Sequence, residues 1–352
     1  MNVMIELAQQ PSRDADIPVT DVSDLALPPP DNGNVILTLP LPYRAVFYPL
    51  GFAVEVFTNK EAVLPIVDEC WGGFRQLHAN PPLQVRIEVR DDGPAECPPA
   101  PVIRLQRNLI TVVADGHNHA VCDLTHGFSL VWLSHAALQH RKYLCYHFIE
   151  TSASILITTL YTTPLHAACV SRYGHGMLLS GDSGVGKSTL SYACAKAGWT
   201  FTADDGSFLL RDRDEPRVVG NCHQIRFRPS AKELFPELQR RDLTPRVQGK
   251  PSIEVPTSEL RLITAEQATI HSIVFLNRQP SAIADLVPLP RGTAIERFRD
   301  LFGSFVEEIR ETQIATLQQL SDVDAYELRY RDLQPAIDRL DLLARGKREP
   351  VV

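Results

Sequence analysis

The stretch from Gly181 to Thr189, Gly-Asp-Ser-Gly-Val-Gly-Lys-Ser-Thr, constrains this chain more than any other, because it satisfies the GxxxxGK[ST] spacing of a phosphate-binding loop. Gly181, Gly184 and Gly186 permit positive φ angles and close backbone approach, so successive N–H groups converge on phosphate oxygens. Asp182, Ser183 and Val185 complete the loop. Lys187 has the reach and charge for the β- and γ-phosphates, and Ser188, followed by Thr189, offers a hydroxyl for Mg²⁺. The flanks agree with this reading. Met177 to Ser180 is a short apolar run of the buried-strand kind, while Lys187 to Ala197 is rich in helix formers and stops at Gly198. Strand, loop and helix in that order put the phosphates at a helix N-terminus, where free N–H groups and the dipole favour anions.

A chain of 352 residues suggests two domains at about 150 residues each. Residues 1–33, rich in Asp and Pro, read as a mobile leader, and 346–352 as a frayed tail. Residues 34–138 read as a small α+β domain. Val35, Leu37 and Leu39 alternate, as do Val85, Ile87 and Val89, and Lys60 to Leu77 carries apolar residues at helical spacing with Asn59 as N-cap. His117 and His119 in that domain read as loop histidines, since no further metal ligand lies near them.

Residues 139–345 hold the loop. Arg141 to Leu160 is a helix that ends near Thr162-Thr163, ahead of Pro164. Leu165 to Val170 reads as one strand, Trp199 to Ala203 as another ending in Asp204-Asp205, and Ser207 to Leu210 with Arg217 to Val219 as a hairpin. Residues 221 to 256 are irregular apart from a short helix after Ser230, Ile270 to Leu276 is a buried strand, and Thr293 with Glu296 caps a helix running toward Phe305. Tyr326 to Tyr330 alternates as a last strand before a closing helix from Ala336 to Leu343.

Charge and cysteine usage narrow the function classes. A net charge of −7, with no long Lys/Arg block, argues against nucleic acid as the main partner. The chain shows no basic-then-apolar N-terminus and no apolar run near the ~20 residues a bilayer requires. A cytoplasmic protein without membrane partners is expected. The seven cysteines are scattered without CxxC spacing and read as reduced thiols, mostly buried as small apolar residues.

A phosphate loop alone does not say whether the nucleotide is hydrolysed, transferred or sensed. Mg²⁺ commonly takes one protein carboxylate, and Asp204-Asp205 lies at a strand end to supply it. Neighbouring residues there point in different directions, so one carboxylate can serve the metal while the other faces an acceptor hydroxyl as base. Arg226 and Arg228 alternate on an extended segment, open to phosphate contact or to ordinary salt bridging, and Lys250 is a weaker case of the same kind.

The block Leu165-His166-Ala, Gly181 to Ser188, and Ala203-Asp204-Asp205 resembles the catalytic core of the HPr kinase/phosphorylase family, with a looser fit over roughly residues 140 to 345. The resemblance implies an α/β fold: a P-loop kinase domain of the HPr kinase and phosphoenolpyruvate carboxykinase type, preceded here by the α+β domain. It implies ATP and Mg²⁺ as cofactors and transfer of the γ-phosphoryl group to serine of a protein or peptide. In that scheme Lys187 binds the phosphates, Ser188 and Asp205 hold Mg²⁺, and Asp204 is the base with His166 orienting it. Relatives assemble, so a homo-oligomer is open. Thr189 stands where HPr kinases usually carry Glu, and the later Glu-(Val/Ile)-Arg-Gly signature is absent. HPr as acceptor and the reverse phosphorolysis therefore stay open. A small-molecule hydroxyl kinase, and a nucleotide-gated binding or scaffold protein, are the competing classes; a pure sensor has no need of Asp204 with His166.

Overall fold

The computed structural model describes residues 40–211, 213–244, 250–299 and 307–346. The leader read over 1–33 lies outside the described residues, as do 347–352 of the tail. The fold is mixed α/β, built on two large sheets.

The first sheet draws on β1 (Tyr43–Phe47), β2 (Val54–Thr58), β3 (Leu83–Arg90), β4 (Val102–Gln106), β5 (Leu109–Val113), β6 (His119–Asp123) and β7 (Phe128–Ser134), with α1 (Leu64–Trp71) between β2 and β3. Its order is β1-β2-β3-β7-β6-β5-β4. One face is wet and one is dry: along β3, Leu83, Val85, Ile87 and Val89 are buried while Arg86 and Arg90 are exposed. α1 is shorter than the helix expected over 60–77. It ends at Gly72, after a 3-10 turn at Glu61–Val63. Asn59 does not cap it; its side chain instead bridges both backbone groups of Val89 at 2.8 and 2.9 Å.

A helical run then covers the dry face. α2 (Arg141–Leu144) and α3 (Glu150–Leu160) are joined by a π-helical turn at Cys145–Ile149. Tyr143, Leu144, Phe148, Ala153, Leu156 and Ile157 enter the same core as β3 and β7. The Arg211 guanidinium closes the end of α3, donating to the carbonyls of Thr159 and Thr158 at 2.7 and 3.1 Å. The reading of all seven cysteines as reduced thiols is corrected here. α1 and the π turn pack so closely that Cys70 and Cys145, with Cα atoms 6.1 Å apart, form a disulfide. Cys122, Cys169, Cys194 and Cys222 are buried free thiols, and Cys97 is exposed. His117 faces Asp92 at 3.5 Å and His119 stacks on Trp132.

The second sheet contains β8 (Thr162–Leu165), β9 (Ala167–Arg172), β10 (His175–Ser180), β11 (Thr200–Ala203), β12 (Ser207–Leu210), β13 (Arg217–Gly220), β16 (Gln267–Arg278), β17 (Asp285–Pro288) and β18 (Asp324–Tyr330). A small ribbon pairs β14 (Gln224–Phe227) with β15 (Ile253–Pro256), so part of the stretch read as irregular is ordered sheet. The helices of this half are α4 (Lys187–Lys196), α5 (Thr293–Arg299), α6 (Glu307–Leu317) and α7 (Leu333–Ala344). β16 is the spine, parallel to β10 on one side and to β18 on the other. Strand alternation divides its neighbours between two cores. Ala168, Val170, Met177, Leu179 and Val274 face α4 and α7, whereas Ala167, Cys169, Leu178, Ile273 and Phe275 face α5 and α6. Buried on both faces, β10 and β16 are the near-continuous apolar runs visible in the sequence.

Among the described residues no helix is long and apolar enough to cross a membrane.

Candidate functional site

β10 ends at Ser180 and α4 begins at Lys187, so the glycine-rich segment turns over the carboxyl ends of parallel strands. Gly181, Gly184 and Gly186 all have positive φ, at 146°, 94° and 108°. At Gly186 a side chain is doubly disfavoured, because an added Cβ would also lie 3.1 Å from the Tyr330 hydroxyl. That hydroxyl donates to the Val185 carbonyl at 3.3 Å, tying the loop to the last strand. α4 starts with no side-chain cap and no acidic residue in its first turn. Its leading N–H groups are therefore left for an anion.

The loop opens on a cavity of about 520 Å³. Ser183, Gly184, Gly186, Lys187, Ser188 and Thr189 line it, whereas Gly181, Asp182 and Val185 do not. His166, Asp204, Asp205, Arg226, Arg228 and Lys250 line the same cavity, so residues 84 positions apart in sequence meet at one place.

Lys187 is only 6% exposed. Its ammonium donates to His166 Nε2 at 2.8 Å and to the carbonyls of Gly181 and Asp182 at 2.7 and 3.3 Å. Burial lowers its pKa, with Asp205, Asp182 and Asp204 pulling the other way. Because a lysine ammonium only donates, Nε2 of His166 is the acceptor and its ring proton belongs on Nδ1. Nδ1 lies 3.3 Å from Asp205 Oδ1, off the line of a hydrogen bond, a contact that becomes an ion pair only when the ring is protonated. Burial, and Lys187 after the opposing Asp205, hold His166 below its ordinary pKa, which keeps the ring neutral at pH 7.

His166 owes this position to a break that the sequence reading merges into one strand. β8 ends at Leu165, β9 starts at Ala167, and the two pair with different neighbours, β12 and β10. His166 sits in the bend between them.

The two aspartates after β11 part company, as a strand end permits. Asp204 turns toward β14 and accepts the Arg226 backbone N–H at 2.7 Å, while Asp205 faces His166. The resemblance pairs His166 with Asp204; the structure pairs it with Asp205. Asp204 is half-buried where it lines the cavity, and its carboxyl is pushed up to about 6, by desolvation first and by the Asp205 charge second, against the pull of Arg226. Of the two readings of Arg226, the geometry carries the ion pair: its Nε lies 3.2 Å from Glu254 Oε1, a carboxylate only 3% exposed. Arg228, next to the start of the 3-10 turn at Pro229–Glu233, and Lys250, whose Nζ is 3.3 Å from Ser183 Oγ, keep their cationic ends near the loop.

Sequence reasoning missed four contributors. Arg278 lines the cavity from the C-terminal end of β16, and Tyr330 braces the loop. Tyr146, in the π turn, hydrogen-bonds Glu254 and so connects the first half of the chain to the Arg226 segment. Arg278 was detectable as a cation at the end of a buried strand; the others depend on contacts between distant segments.

An α/β protein whose uncapped helix start shares a cavity with a lysine, a neutral histidine and two carboxylates is the class that this site defines. Comparison with known proteins narrows it. Residues 159–228 match the family model of the HPr Serine kinase C-terminal domain. The HPr kinase/phosphorylases of Bacillus mycoides, Bacillus cereus and Bacillus anthracis are each 43% identical to this chain over 64 residues, 18% of this chain and 20% of theirs. The chain is HPr kinase-like through this segment, which contains His166, the loop, Asp204, Asp205, Arg226 and Arg228. The match spans about a fifth of the length of those relatives. The structure of the Hpr(Ser) kinase/phosphatase from Coxiella burnetii aligns with a TM-score of 0.30 and 12% identity, over 52% of this chain and 93% of that one.

Proposed function

We propose that this chain is an ATP-dependent kinase that transfers the γ-phosphoryl group to a hydroxyl, in the first instance serine of a protein or peptide. The observation that carries the reading is the shared cavity: a phosphate-ready loop with Lys187 opens onto a carboxylate, Asp204, whose pKa is pushed up to about 6. A nucleotide sensor has no use for such a group, whereas a base works best with its pKa near the operating pH. The likeness to HPr kinase/phosphorylases supports a kinase acting on a protein.

In this scheme the P-loop kinase domain, read as 139–345, and the accessory domain, read as 34–138, share a seam, because residues 141–160 pack into the core of the first sheet. The loop N–H groups and the α4 start hold the β- and γ-phosphates, with Lys187 released from the Gly181 carbonyl to join them. Ser188 and Asp205 fit Mg²⁺, being hard oxygen donors that line the same cavity. Bound there, the ion would neutralise charge on the phosphates. The acceptor oxygen attacks Pγ, its bond to phosphorus forms as the bond from Pγ to the ADP oxygen breaks, and its proton passes to the Asp204 carboxylate. His166 is a positioning residue, holding Asp205 and Lys187 on opposite edges of one neutral ring.

The test is incubation of the purified chain with γ-labelled ATP, Mg²⁺ and a cell extract. Label is expected in a protein or peptide, with acid-stable serine phosphate, and labelling on the order of 10²- to 10⁴-fold slower with Asp204→Asn. Tight ATP binding with no labelled product would replace the kinase by the nucleotide-gated scaffold; label in a metabolite would move the acceptor class to small alcohols.

A further inference from the structure

The cavity is larger than a phosphate site requires, and an apolar part of its wall comes from the first half of the chain. Leu50, Trp71, Phe74, Ile103 and Ile157 line it together with Tyr146. At about 520 Å³ the whole space lies inside the ~300–1,000 Å³ range of pockets that take drug-sized ligands. Its apolar side chains do nothing for a phosphate chain.

Two departures from regular backbone fall on this wall. Leu50 has φ 54° in a 3-10 turn, a left-handed conformation costly for a branched side chain, although it is buried at 3% exposure. The turn is held there by the Gly51 carbonyl, which accepts from the backbone N–H groups of Leu77 and His78. The second departure is the π turn Cys145–Ile149, which swings Tyr146 out of the helical repeat onto the cavity. Both irregularities shape the same surface.

The wall is connected to the Asp204 side of the site. Tyr146 bonds Glu254, Glu254 pairs with Arg226, and the Arg226 backbone N–H holds Asp204. An in-line displacement puts acceptor and departing ADP on opposite sides of Pγ, with the base on the acceptor side. Building on the kinase reading, we infer that this wall is the acceptor-recognition pocket: it takes an apolar side chain flanking the phosphorylated serine of an extended peptide segment. The first domain thereby acquires a role, reading the acceptor's neighbouring residue while the second domain performs the transfer.

The experiment uses the full chain and a set of nonapeptides, each with one central serine in a Gly/Ala background and a single Leu or Phe moved through the flanking positions. Label transfer from γ-labelled ATP and peptide binding by fluorescence anisotropy are measured separately. One or two flanking positions should improve transfer on the order of tenfold over the background peptide, the scale of one buried apolar side chain. Phe74→Asp should erase that preference by raising the peptide KM, with the ATP KM unchanged within twofold. Ile103→Asp, at another half-buried point of the wall, guards against a folding defect peculiar to one variant. Equal labelling of all peptides, or a preference that survives both substitutions, overturns the inference. So does a rise in the ATP KM alone, which would give the wall to the nucleotide base, or label in small alcohols only. Position-dependent binding without any label would instead sink the kinase reading and leave the pocket standing.

Discussion

Replacing Asp204 by Asn separates what this site does for stability from what it does for chemistry. The Asp204 carboxyl is pushed up from 3.8 to about 6 by burial and by Asp205. With the folded pKa above the unfolded one, the bound proton stabilises the native state. That contribution is whole below about pH 4, is lost as the pH climbs to about 6, and above it the ionised carboxylate weighs against folding. Two pKa units correspond to ~3 kcal/mol. Partial exposure of the side chain to the cavity trims this to about 1–2 kcal/mol. Asparagine keeps the shape and an oxygen for the Arg226 N–H, and removes the charge. Thermal unfolding followed by circular dichroism should therefore show Asp204→Asn more stable than wild type by a few degrees at pH 8, with the gain gone near pH 4. Transfer should fall 10²–10⁴-fold, on the order expected for loss of a general base, while Mg-ATP affinity stays within a few-fold. The wild-type kcat/KM, which reports the free chain, should also decline on the acid side of about pH 6. A variant less stable than wild type at pH 8, or a gain equally large at pH 4, refutes the burial argument; wild-type turnover refutes the base.

Lys187→Met should weaken Mg-ATP binding about 10- to 100-fold, the worth of a charge-assisted contact, by isothermal calorimetry. Unchanged affinity would remove Lys187 from the phosphate site. Gly186→Val forces a branched side chain to φ 108° and against Tyr330, so nucleotide binding should be lost with only a local change in hydrogen exchange. The Cys70–Cys145 bridge closes a loop with a sequence separation of 75. Cys70→Ser, or reductant, should cost about 2–4 kcal/mol of stability, and equal melting with and without reductant would show the pair to be reduced thiols.

Much of the second half of the chain was legible because its signals are local. The loop spacing, the apolar runs of β10 and β16, the alternation in β18 and the strand ending at Asp204-Asp205 all lie where the sequence puts them. The misses have a common physical origin. The segment Leu165–Val170 reads as one strand because every residue but His166 is apolar or small, and only pairing with two different neighbours reveals the break. Asn59 looks like a helix cap until Val89 arrives from 30 residues away to claim both ends of its amide. Cysteine spacing says nothing of Cys70 meeting Cys145, since helix packing alone sets their separation.

The sequence by itself determined that a phosphate-ready loop exists, which lysine and hydroxyl it carries, and that a histidine and two aspartates accompany it. These follow from residue type at fixed short spacing, where backbone geometry leaves few choices. Only the tertiary structure decided which aspartate faces His166, which one has its pKa raised, and that Leu50, Phe74 and Tyr146 line the same cavity. Those outcomes depend on direction and burial, and a side chain acquires both only when distant strands and helices pack around it.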